Sequence, residues 1–216
     1  MTTPEPESPA PQPTAPESSD RVYRSSAGIA GGVLLLAIVA WLGLDALFTG
    51  HGRTPWLALA AMILAVPLVV AFTLRPAVHA GPDRLRVRNP FRVVVLPWGQ
   101  IAVLRSGYTN EAVSKAGTKY QLWALPVSLG ARKRAARRTA RATAAPRTGA
   151  PAGAAAARTG PERAQADQAM DDLRELHETR ENAATAQGGV TVRWAYEIVG
   201  PALAGAVVLA ILLIIG

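Results

Sequence analysis

Three runs of about twenty residues without a charged side chain constrain this chain more than any other feature. Ser25 to Leu44 is the first, Trp56 to Leu74 the second, and Ile198 to Gly216 the third. Each is long enough to cross a hydrocarbon core of ~30 Å. As core helices of a soluble protein they would need wrapping, and a chain of 216 residues has too little other apolar sequence to wrap all three. We therefore expect transmembrane helices over 25–47, 56–75 and 197–216. Pro67 lies inside the second, where a membrane helix tolerates a kink. The third is entered through "RWAYE", whose Trp194 and Tyr196 suit the headgroup level.

A cleaved signal peptide does not fit the first run. The apolar stretch is too long for a typical h-region, no small-x-small site follows it, and the next span begins about eleven residues later. An uncleaved anchor in a membrane hairpin is the simpler reading. Its orientation follows from basic residues near the span ends. The hairpin loop Asp45 to Pro55 carries Arg53 alone, whereas Arg75, Arg84, Arg86, Arg88 and Arg92 follow the second span and Arg21 and Arg24 precede the first. The expected topology places the N-terminus and the large middle region in the cytoplasm, in a multi-pass plasma-membrane protein whose C-terminus reaches the outer face.

Composition separates along the chain. Half of the residues are hydrophobic, yet the formal charge is +8, and most of the basic residues lie between the second and third spans. Residues 1–24 are Pro-, Ser-, Thr- and Glu-rich and cannot bury enough surface to offset ordering entropy, so a disordered tail is expected. Residues 131–160 read as a basic, Ala/Gly/Pro-rich linker. Over 161–187, Pro161 and Gly188-Gly189 bracket strong helix formers with a thin apolar stripe of Met170, Leu173, Leu176 and His177. That cytoplasmic helix reads as a solvated lead-in to the third span, with a docking or coiled-coil helix as the alternative.

From Pro76 to Gly130 the pattern is β. "RLRVR" alternates with period two, putting Leu85 and Val87 on one face and Arg84, Arg86 and Arg88 on the other. Asn89-Pro90 turns the chain into "FRVVVLP", with Phe91, Val93 and Val95 expected on one side. Pro97 ends that strand, and the next has Ile101 and either Val103 or Leu104 inward. A polar loop with Gly107, Asn110 and Gly117 precedes a last strand, Lys119 to Val127. Short strands with turns every eight to twelve residues imply a small antiparallel sheet or barrel.

The paired strands "RLRVRNPFR" and "VLPWGQI", with the Pro-Trp-x-x-Ile element Pro97, Trp98 and Ile101, resemble bacterial PH-like domains. The resemblance is to the actinobacterial membrane-anchored group that includes the low-molecular-weight antigen PH domain. It implies a small antiparallel PH-like module over 76–130. That stretch is too short for a barrel with its closing helix, so the basic stretch from Ala131 or the helix from Pro161 would have to complete it. The basic pattern with which eukaryotic PH domains bind phosphoinositides is not carried over, so a lipid ligand does not follow from the resemblance.

Across Arg75 to Arg158 the only carboxylates are Asp83 and Glu111. The densest basic part contributes Arg132, Lys133, Arg134, Arg137, Arg138 and Arg141. Such a cluster gains ~1 kcal/mol per residue near an anionic leaflet. Nucleic acid is disfavoured as a partner, since there is no helix-turn-helix or RNA-binding signature. The row Arg84, Arg86 and Arg88 reads either as charge protection of an exposed face or sheet edge, or as an anion-binding surface.

No enzyme is expected. There is no Gly-rich phosphate loop, no nucleophile with a base and orienter, and no cysteine, and His51, His79 and His177 lie in different segments, so neither a metal nor a cofactor is expected. The resulting fold class is an α+β membrane protein with three transmembrane helices, a small antiparallel β PH-like module and a cytoplasmic helix. Its expected role is non-enzymatic binding of the anionic membrane surface or a protein partner. The alternative is an accessory subunit of a transporter or cell-envelope complex, with Gly28, Gly31, Gly32, Ala40, Gly200 and Gly205 allowing close helix contact.

Overall fold

The computed structural model describes residues 20–126 and 161–215. The tail before residue 20 and the basic segment 127–160 lie outside the described residues. Helix α1 (Ser26–Thr49) starts at Ser25, whose side chain accepts from the Gly28 amide. Helix α2 (Thr54–Val69) runs through Pro67 into a π-helical turn, Val70–Leu74, closed by the Arg75 amide donating to the Val70 carbonyl at 2.9 Å. Helix α4 (Tyr196–Ile215) is the third apolar helix. All three are long and apolar enough to cross a membrane.

Helix α2 packs against both α1 and α4, and glycine sets the approach. A Cβ on Gly32 would meet the Thr73 side chain, one on Gly43 would meet Met62, and one on Gly205 would lie 2.5 Å from the Leu64 amide nitrogen. Gly205 thus lets α4 approach the α2 backbone itself. Gly31 and Gly200 face open space and take no part in these contacts. At the far end, Arg53 in the hairpin donates to the Leu212 carbonyl, placing a cation on the last turn of α4.

The remaining elements form two antiparallel sheets. The first has the order β1 (Arg21–Tyr23), β2 (Ala77–Ala80), β3 (Arg84–Arg88), β4 (Arg92–Pro97) and β8 (Thr191–Trp194). The second is β5 (Ile101–Ser106), β6 (Asn110–Ser114) and β7 (Lys119–Gln121). Helix α3 (Pro161–Arg180) packs on β5 and on the 3₁₀ turn at Trp98–Gln100. A single core joins them: Leu85, Val87, Val94, Leu96, Trp98, Ile101 and Leu122 from the strands and their flanks meet Ala169, Met170 and Leu173 of α3. Of the two sequence readings of this helix, a solvated lead-in to the third span and the element that completes the module, the packing of Ala169, Met170 and Leu173 fits the second. Its apolar stripe is thin because it covers only the gap between two small sheets.

Several strands depart from their sequence expectation for local reasons. In β4 the buried residues are Val94 and Leu96, while Val93 and Val95 are half-buried on the other face. An uninterrupted apolar run carries no alternation, so the pairing Val87↔Val94 and Leu85↔Leu96 sets its phase. In β5, Ile101 and Leu104 point inward and Val103 is 37% exposed, because the register shifts at a bulge between Ile101 and Val103. The loop expected around Asn110 contains β6, and the last strand stops at Gln121 rather than Val127. Leu122, Ala124 and Leu125 still enter the core beyond its end. Strand β1 draws the last residues of the expected tail into the sheet.

Candidate functional site

The register of the first sheet places every span junction at one of its ends. Tyr23 pairs with Val78, Ala77 with Arg88, and Arg92 with Trp194. The chain enters α1 just after Tyr23, leaves α2 just before Ala77, and enters α4 just after Trp194. An aromatic cluster fills the space between helices and sheets: Phe72 meets Phe91 edge-on at 5.3 Å and Trp123 at 5.6 Å. Ala71, Ala195 and Ile198 are buried in the same joint.

Alternation sorts the two faces of this sheet. Val78, Ala80, Leu85, Val87, Val94 and Leu96 point into the core. The opposite face carries His79, the row Arg84, Arg86 and Arg88, and Arg193 across from Val93, with no carboxylate in its strands. Strand β3 is central, between β2 and β4, so its arginines do not guard a sheet edge. They are an exposed face. The row also stands on end relative to the junction: Arg88 lies at the junction end and Arg84 is four residues up the strand, about 13 Å away at the usual rise.

Charge concentrates at the junction end. Arg75, at the exit of α2, pairs with Glu197 in the first turn of α4 at 2.8 Å. The Arg75 side chain is only 7% exposed against 63% for Glu197, and its Nε is buried without a hydrogen-bond partner. Burial lowers the proton affinity of the Arg88 guanidinium, and the charges of Arg75, Arg24 and Arg86 lower it further, with Glu197 opposing them. His79 is likewise held below its ordinary value, first by burial and then by Arg88, Arg86 and Arg24. Arg75 and Arg88, from separate elements, thus act on one exposed carboxylate, and the charge of Arg24 reaches Arg88. Sequence spacing brings Arg84, Arg86 and Arg88 together; Arg24, Arg75 and Glu197 join only through the fold.

The Pro97, Trp98 and Ile101 element occupies the corner between the two sheets. Trp98 is fully buried, donates from Nε1 to the Gly81 carbonyl at 3.0 Å, and stacks on His177 of α3 at 6.4 Å. Asn89 makes a second link between sheets, donating to the Gln121 carbonyl at 2.9 Å and accepting from the Trp123 amide. On the other side of the module, Tyr23 donates to Asp172 at 3.1 Å, fastening α3 to β1. A cavity of ≈ 290 Å³ lies beside that contact, between Arg24, Pro126 and Gln165. Arg132, Lys133, Arg134, Arg137, Arg138 and Arg141 lie outside the described residues. Among the described residues, no group of three His, Asp or Glu side chains could hold a metal ion.

Two small antiparallel sheets closed by a helix, with three apolar helices leaving one end, give the α+β membrane architecture expected from the sequence. Comparison with known families agrees: residues 75–176 match the family model described as Bacterial PH domain. The match begins at Arg75 and runs into α3, so it includes Met170 and Leu173, while β1 and β8 lie outside it. No curated protein and no solved structure matches the chain.

Proposed function

We propose that this is a non-enzymatic, multi-pass plasma-membrane protein whose PH domain faces the cytoplasm and binds anionic membrane surface through its arginine face. The observation that carries this reading is the charge of one sheet face, where Arg84, Arg86, Arg88 and Arg193 stand with no carboxylate in the same strands. The basic residues from Arg132 to Arg141 would add to the same attraction. A second reading has support from the upright row: Arg84 and Arg86 stand off the junction and would meet the acidic surface of a protein partner more readily than a flat leaflet. In that form the protein would serve as an accessory subunit of a transporter or envelope complex.

The test uses the full chain reconstituted in neutral vesicles, mixed with separate vesicles of neutral or anionic lipid. Binding of the second set should need anionic lipid, fall with salt, and fall again in Arg84→Gln/Arg86→Gln. Association that ignores both salt and lipid charge would sink the membrane-surface reading. For the orientation, a reporter fused after Gly216 should read outside and one fused at the N-terminus inside.

A further inference from the structure

At the junction, Arg75 poses a local problem that the protein alone does not solve. A guanidinium offers five N–H donors, and burying one is costly unless those donors find acceptors. Arg75 is almost wholly buried, its Nη1 reaches one oxygen of Glu197, and its Nε has no partner. Glu197 is mostly exposed, so the pair is open to water and readily exchanged. Arg88 is half-buried beside it, and Arg24, two residues before α1, lies close enough for its charge to act on both His79 and Arg88. Arg75 and Arg88 share the one carboxylate of Glu197, and all three cations sit where the spans meet the sheet. In a bilayer that is the headgroup level, where Trp194 and Tyr196 are also exposed.

We infer that Arg24, Arg75 and Arg88 form a binding site for the phosphate of a single anionic phospholipid, drawn from the bilayer that α1, α2 and α4 span. This deepens the anion-face reading, on which it rests, by naming a ligand class at the junction end. A phosphate supplies several acceptor oxygens at once and suits the forked geometry of arginine. It would satisfy the buried Nε, relieve the repulsion between Arg75 and Arg88, and leave Glu197 as a stand-in that holds Arg75 when no lipid is bound. Arg84 and Arg86, farther up the strand, take no part.

The experiment is native mass spectrometry of the full chain in mild detergent, with added phosphatidylglycerol or phosphatidylcholine. One phosphatidylglycerol should be retained per chain, and phosphatidylcholine should not. Arg24→Gln or Arg88→Gln should each lower retention about fivefold. Lys119→Gln, an exposed residue of the second sheet, should leave it unchanged, and Glu197→Gln should raise it. Thermal melts check that each variant is folded. Displacement of the lipid by inorganic phosphate at equal concentration would reassign the site to free phosphate and overturn the lipid assignment. Retention indifferent to Arg24→Gln and Arg88→Gln, while vesicle binding still depends on Arg84 and Arg86, would overturn this site and leave the anion-face reading intact. Indifference to every arginine would remove both.

Discussion

Replacing Leu173 by alanine tests whether α3 belongs to the PH module, from which a long segment separates it in sequence. Leu173 is 0% exposed and lies in the core with Trp98, Ile101 and Met170. Removing a fully buried leucine costs its transfer free energy plus that of the cavity left behind, ~2–5 kcal/mol in packed cores. The surroundings here are two sheets pinned by Trp98 and Asn89, which cannot easily collapse inward, so about 3 kcal/mol is a reasonable expectation. For a folded unit of this size that corresponds to a melting temperature lower by roughly 10 °C. The measurement is thermal unfolding of the full chain in detergent, followed by near-UV circular dichroism, with Glu178→Ala as control. Glu178 is exposed on the same helix, and its loss should matter by no more than about 0.5 kcal/mol. If Leu173→Ala melted with the control, α3 would not be part of the cooperative core, and the closed-module description would fail.

Other perturbations reach the remaining joints. Gly205→Leu places side-chain atoms where the α2 backbone now lies, so α4 must move away; cysteines introduced on α2 and α4 of this cysteine-free chain should then lose their disulfide cross-link, and retained cross-linking would contradict the packing. Asn89→Ala strands the Gln121 carbonyl and Trp123 amide that it joins, at about 1–3 kcal/mol; a melting temperature equal to wild type would show that the two sheets do not depend on this link. His79 has its folded-state value below the ordinary 6.5, so its stabilising contribution is present above that pH and is lost as pH falls through it toward the lower folded value. Acidification should therefore destabilise wild type more steeply than His79→Gln, and parallel pH profiles would refute the assignment.

The three spans are legible in the sequence because each is a local property: length, apolarity and absence of charge within one run. The faces of "RLRVR" are legible for the same reason, since strict alternation leaves one solution. The phase of β4 is not, because "VVVL" is apolar at both parities and only its partner strands decide. Strands β1 and β8 are harder still. Three or four residues carry no period, and β1 exists only because Ala77–Ala80, beyond two membrane helices, comes back to pair with it. The candidate site divides in the same way. Arg84, Arg86 and Arg88 announce themselves by spacing, whereas the Arg24, Arg75 and Glu197 junction is assembled from the ends of three helices. In sequence those residues look only like orientation signals flanking spans.

The continuity of β1 into α1 and of β8 into α4 has a mechanical meaning. The two outer strands of the sheet lie in series with two of the spans, while α2 is tied to β2 in its interior. Packed helices sit ~8–10 Å apart and neighbouring strands ~4.8 Å apart, so the bundle and the sheet share no common spacing, and the aromatic joint at Phe72, Phe91 and Trp123 bridges the difference. A lateral force that spreads the helices is therefore delivered to two short ladders, three residue pairs at β1 and four at β8. These would part before the central strands do, making the sheet margins the first place where strain in the bilayer becomes a change in the domain.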